Sequence, residues 1–178
     1  MQKNFILPIL PQSKFSTIVG NCGIVCIKMC IDFFKKNKNN QTLEEFIKKE
    51  KFSNKNADYL IDILQKYNLQ TSVWDIRKDI MTYDFLLEKR KDFVWIEEKV
   101  LMHLNFGKPV ICFFKKQGKN KQVNHVILIV GYKTNENKEI LGYFFNDPDL
   151  FGENLQTNFL DKKTFLNICL GFFIFVSN

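Results

Sequence analysis

Covalent and acid–base chemistry in this sequence can come from a few side chains, and Cys22 is the first of them. Cys22 is followed by Gly23 and then by a dense apolar pattern of Ile24, Val25, Met29, Cys30, Ile31, Phe33 and Phe34. That pattern predicts a mostly buried helix from Cys22 to Lys36. Gly20-Asn21 is a turn signal just ahead of it. The first amides of a helix have no internal partner, and the helix dipole is positive there. A thiol at that place is stabilised as thiolate, more so beside an imidazolium. Gly23 would keep the backbone open to a substrate carbonyl. The competing account is a helix that merely begins at cysteine.

A base for such a thiol is offered by His125, which opens the apolar run His125–Tyr132. Asp147 closes the run that starts at Ile140, and the polar stretch Lys133–Glu139 lies between the two. A hairpin centred on Glu136 would set His125 directly opposite Asp147, with β-carbons roughly 4.5–5.5 Å apart. A carboxylate there holds an imidazole in one tautomer and orientation. Taken singly, His125 reads as a strand-start histidine and Asp147 as a turn residue before Pro148. The other histidine, His103, falls inside a predicted helix without an acidic partner, and is structural or exposed. Gln12 could donate its side-chain amide to a developing oxyanion, with the Cys22 N–H as second donor. Its alternative is a surface glutamine after Pro11.

The remaining cysteines do not suggest a metal or a disulfide framework. The total is five, an odd number, and the N-terminus carries no standard signal peptide. Cys26 and Cys30 follow Cys22 at helical spacing on one face and read as small buried residues. No CxxC pair offers zinc spacing. Neither a metal nor a cofactor is expected.

The elements that must position these groups follow from periodicity and punctuation. Thr42-Leu43-Glu44-Glu45 is a capping box opening a helix from Leu43 to Lys49. Asn56–Tyr67 is amphipathic, Asn68 ends it, and Leu69–Ile76 reads as a strand. Arg77–Asp92 is ambiguous between a lid and a helix. Phe93–Asn105 reads as a helix closed by Phe106-Gly107. Pro109–Phe114, His125–Tyr132 and Ile140–Asn146 read as strands, Asp161–Asn167 as a short helix, and Gly171–Val176 as a last strand. Met1–Val19 reads as an irregular, partly extended lead-in. The whole is α+β, a mainly helical first half and a mainly antiparallel second half, in a single domain over 1–178.

Composition excludes other classes. The 178 residues are 46% apolar and 25% charged, which excludes a disordered chain, a collagen or a coiled coil. No apolar run approaches the roughly 20 residues of a membrane helix. The expectation is a protein of the cytoplasm, or one exported by a route without a standard signal peptide. The net charge is +7, but the lysines are scattered among asparagines over Lys35–Asn40, Lys48–Lys55 and Lys115–Lys121. No basic run interleaves with aromatics, so the charge reads as solvated surface, not a nucleic-acid interface.

Gln12, Asn21–Met29 with its Cys-Gly-x-x-Cys, Asn124–Tyr132 with a His-headed strand ending in Gly-Tyr, and Asn146-Asp147-Pro148 together resemble the C39-like peptidases. These are papain-like cysteine peptidases whose best-known members trim double-glycine leaders from bacteriocins. The resemblance covers nearly the whole chain and implies the papain-like fold, an N-terminal helical lobe packed on a C-terminal antiparallel sheet. It implies Cys22 as nucleophile, His125 as general base, Asp147 as the group orienting it and Gln12 in the oxyanion hole. The reaction would be hydrolysis of a peptide bond through a thioester, on a peptide or protein substrate, in a protein compatible with a monomer. Leader-trimming members place the glutamine nearer the cysteine and are commonly fused to a transporter, so leader processing itself is not implied. The rival readings are a peptidyl or acyl transferase of the same fold and a catalytically silent peptide-binding module.

Overall fold

The computed structural model describes residues 2–4, 22–35, 41–50, 57–75, 96–117, 122–149 and 157–178. Its strands are β1 (Gln2–Asn4), β2 (Gln70–Asp75), β3 (Val110–Gln117), β4 (Gln122–Thr134), β5 (Ile140–Asn146), β6 (Asn158–Asp161) and β7 (Cys169–Ser177). Its helices are α1 (Cys22–Lys35), α2 (Leu43–Lys49), α3 (Ala57–Lys66), α4 (96–105) and α5 (Lys162–Ile168). Every paired strand is antiparallel, in the order β2-β7-β3-β4-β5-β6, and β1 pairs β4 beyond the end of β3.

The sheet is covered on both faces. Ile111, Val126, Leu128, Val130, Phe172, Ile174 and Val176 pack with α1, α2 and α3. The alternate residues, among them Val110, Cys112, Ile127, Ile129, Phe173 and Phe175, pack with Ile96, Val100 and Leu104 of α4 and Phe165 of α5. A strand buried on both sides has no polar alternation, so β4 reads in sequence as one apolar run. The expected mixture of helices and antiparallel sheet is found, with the refinement that α4, from the first half, lies on the opposite face from α1.

Local chemistry sets the ends of the elements. The α2 capping box is made: Thr42 Oγ1 accepts from the Glu45 N–H at 3.2 Å, and the Thr42 N–H donates to Glu45 Oε2 at 2.8 Å. Asp161 caps α5 by accepting from the Thr164 N–H at 3.0 Å. After α3 and α4 the backbone turns left-handed at Asn68 (φ 55) and Gly107 (φ 67), a conformation those residue types tolerate. Glu50 ties α2 to α3, accepting from Lys66 at 2.7 Å and from the Tyr67 hydroxyl at 3.0 Å.

The helix α1 is buried on nearly every side, from Cys22 to Asp32. Its apolar side chains each contribute about 1.5–3 kcal/mol by burial, so its position is fixed by the core. Among the described residues, no helix is long and apolar enough to cross a membrane.

Candidate functional site

Cys22 is the first residue of α1 and is 7% exposed, so the core that holds the helix also holds the thiol at its N-terminal end. A Cβ at Gly23 would stand 2.9 Å from Leu60 Cδ1, so the glycine also permits close packing of α1 against α3.

His125 is delivered by β4 at 3% exposure. It pairs with Phe114 in the β3–β4 ladder, and the two rings meet edge to face at a centroid distance of 5.3 Å. That contact fixes the ring plane. The imidazole Nε2 lies 2.7 Å from Asp147 Oδ1, and the Cys22 side chain is near enough to act on the ring's protonation. Strand and helix thus bring Cys22, His125 and Asp147 together, in the order the sequence suggested.

The register differs from the expected one. Leu128 pairs Asn146 and Ile129 pairs Phe145, so the hairpin is centred one residue later than Glu136, and Asp147 lies just past the end of β5. His125 and Asp147 are therefore diagonal, not directly opposed. The offset amounts to two positions along a strand, which keeps both on the same side of the sheet. The cause is the turn. Asn135 Oδ1 accepts from the Glu139 N–H at 2.9 Å, the Asn135 N–H donates to the Glu139 carbonyl at 3.0 Å, and Lys138 takes φ 66. Single-residue bulges at Val130 and Leu141 then cancel each other along the ladder.

Asp147 reaches back because its own loop shapes it. Its Oδ1 also accepts from the Asp149 N–H at 2.8 Å. This is an Asx turn across Pro148, and it points the carboxylate at the ring. Asp149 itself was not singled out by the sequence. Its Oδ2 lies 3.5 Å from His125 Nδ1, and its side chain is 32% exposed. The Asp-Pro-Asp spacing was the available signal.

Burial by itself would lower the imidazole pKa, but the Asp147 and Cys22 side chains outweigh it and raise the pKa to about 9. One turn along α1, burial pushes the Cys26 thiol well up, and its sulfur is 3.6 Å from the Val126 carbonyl oxygen. Burial likewise pushes the Cys30 thiol well above its ordinary range. Both are inert core residues, as expected. His103 is half-buried against Phe175, at a ring distance of 4.9 Å, and burial lowers its pKa. Gln12 and Arg77–Asp92 lie outside the described residues.

His125, Asp147 and Asp149 bring ligand-type atoms within 4.8 Å of one another, a spacing a divalent cation could bridge. The Nε2–Asp147 hydrogen bond already joins two of them directly. The arrangement is thus equipped to hold and move a proton beside a helix-terminal thiol.

Residues 6–168 match the sequence model of the Peptidase_C39 like family. The chain belongs to that family. No curated protein sequence matched it. Among solved structures, this C39-like chain is similar to the peptidase domain of Streptococcus mutans ComA, at 16% identity and TM-score 0.48, covering 96% of this chain and 98% of that one. It is also similar to that domain in complex with a small-molecule inhibitor, at 18% identity and TM-score 0.47, covering 96% and 99%.

Proposed function

We propose that this protein is a cysteine peptidase that cleaves a peptide bond through a thioester on Cys22. The observation that carries the reading is the buried imidazole of His125, held 2.7 Å from Asp147 at Nε2 and acted on by the Cys22 side chain. Membership of the Peptidase_C39 like family supports it. An imidazole with a pKa near 9 is protonated at neutral pH, which suits a resting thiolate–imidazolium pair.

In the reaction the thiolate attacks the scissile carbonyl carbon and the C=O π electrons move to oxygen. The oxyanion is received by the Cys22 N–H and by the Gln12 side-chain amide. The intermediate collapses, the C–N bond breaks, and the imidazolium gives its proton to the leaving amine. Neutral His125 then takes a proton from water, the resulting hydroxide attacks the thioester, and the thiolate leaves. Asp147 keeps Nε2 engaged throughout, so Nδ1 is the edge that exchanges protons.

A mixed peptide library, digested and read by mass spectrometry for new termini, tests the proposal. Cleavage by the wild type and none by Cys22→Ala is the expected result. Intact peptides, together with Cys22 alkylating as an ordinary thiol, would sink the reading.

A further inference from the structure

We propose that Asp149 is a second positioning carboxylate for His125, acting on the Nδ1 edge as Asp147 acts on Nε2, and that it serves as counterion to the imidazolium whenever the Cys22 sulfur is uncharged. The inference rests on the cysteine-peptidase reading above and extends it by one residue.

Three observations support it. The Asp149 carboxylate lies 3.5 Å from Nδ1, too long for a hydrogen bond and close enough for an ion pair. Its placement is built in, because its own backbone N–H closes the Asx turn on Asp147 Oδ1 at 2.8 Å. One short loop therefore sets both carboxylates, one on each side of the ring. Its charge also reaches α1: the Cys26 thiol is pushed up chiefly by burial, then by Cys22, Cys30 and Asp147, with Asp149 adding the smallest part. The titratable groups around the ring, among the described residues, are Cys22 and Cys26 from α1 and Asp147 and Asp149 beyond β5. β3 presents the Phe114 ring.

The reaction cycle gives this placement a purpose. In the resting pair, the imidazolium has the thiolate beside it. Once the C–S bond forms, sulfur carries no charge, yet the proton must stay on the ring until the C–N bond breaks. The same situation returns in deacylation, after the ring has taken a proton from water and before the thiolate departs. In both intervals Asp147 alone would face a buried cation. Asp149 supplies a second anion on the edge vacated by the thiolate, and its partial exposure lets solvent moderate it, so the proton is held but can still be given up.

The test is the pH profile of Cys22 alkylation by iodoacetate, whose negative charge makes its reaction sensitive to the imidazolium. The rate rises as the thiolate–imidazolium pair forms and falls on a basic limb as the ring deprotonates. Asp149→Asn keeps the backbone N–H and nearly the same shape, and Asp149→Glu keeps the charge. The expected result is a basic limb displaced downward by about 0.5–1 pH unit in Asp149→Asn and returned toward the wild-type position in Asp149→Glu. Equal thermal unfolding midpoints would show that the Asx turn survives. A basic limb that stays in place in Asp149→Asn overturns the proposal. A wild-type profile with no reactive limb below the ordinary thiol range overturns the cysteine-peptidase reading itself, and this proposal with it.

Discussion

Two buried acid–base pairs in this protein behave oppositely. Lys28 and Asp32 face each other within α1, Nζ to both carboxylate oxygens at 2.5 Å, with side chains 3% and 10% exposed. His125 and Asp147 meet at 2.7 Å, with side chains 4% and 10% exposed. Burial is therefore the same in both. At Asp32 burial wins and raises the carboxyl pKa, against the hydrogen bond and charge of Lys28. At His125 burial loses, and the ring is raised to about 9. The difference is in the number and origin of the partners. The first pair is closed within one helix, with the Phe46 ring 6.0 Å from Lys28 Nζ. The second joins β4 to the loop after β5, and Cys22 acts on the ring together with Asp147. A buried pair with one partner per charge is structural; one with a partner to spare can pass a proton on.

The comparison breaks most severely at His125. Its replacement by alanine should lower peptide cleavage by about 10⁴-fold, read as the initial rate of product formation on whichever peptide the library identifies. Next in size is Asp32→Ala, which strands the Lys28 ammonium in the core and should cost about 3–5 kcal/mol in urea unfolding. The paired replacement Lys28→Met with Asp32→Leu should bring stability back to at least near the wild type with cleavage retained. An unrecovered stability would mean that the α1 pair is more than a closed one.

A smaller effect separates the two pairs by pH. The His125 pKa is higher folded than in the unfolded chain, where it is about 6.5. Its contribution to stability is therefore complete below pH 6.5 and lost as the pH climbs through about 9. The unfolding free energy should fall by roughly 3 kcal/mol across that window, and His125→Ala should remove the fall. The smallest expected change lies away from both pairs. Thr42→Ala removes half of the α2 capping box and should cost about 1 kcal/mol, without altering Cys22 alkylation.

The sequence disclosed α1, β4 and β5 because length and periodicity act there without competition. It disclosed Cys22 and Asp147 because each stands at the end of such an element, and His125 because it heads the apolar run, although β4 itself begins three residues earlier at Gln122. The hairpin centre was misplaced because Asn135 and Lys138 organise an asymmetric turn that composition does not reveal. The pairing survived because a shift of two positions along a strand leaves the face unchanged. Asp149 went unseen since its value depends on an Asx turn, which no periodicity marks. The packing role of Gly23 was not legible, because only the position of Leu60 reveals what the glycine makes room for. β1 and β6 are too short to announce themselves, and each exists by pairing with a longer neighbour.

The place of β7 in the sheet has a consequence for how the protein is made. β7 comes from late in the chain, Cys169–Ser177, yet it lies inside the sheet between β2 and β3. A ribosome releases Cys22, His125 and Asp147 well before that strand. Until it arrives, β3 lacks a neighbour along one edge, and Phe172 and Ile174 are missing from the core beneath α1. Thiol and imidazole are then joined only through an unfinished scaffold. Slow, long-range strand insertion of this kind delays completion of a fold. The sheet that carries His125 is therefore complete only once β7 has paired with both β2 and β3.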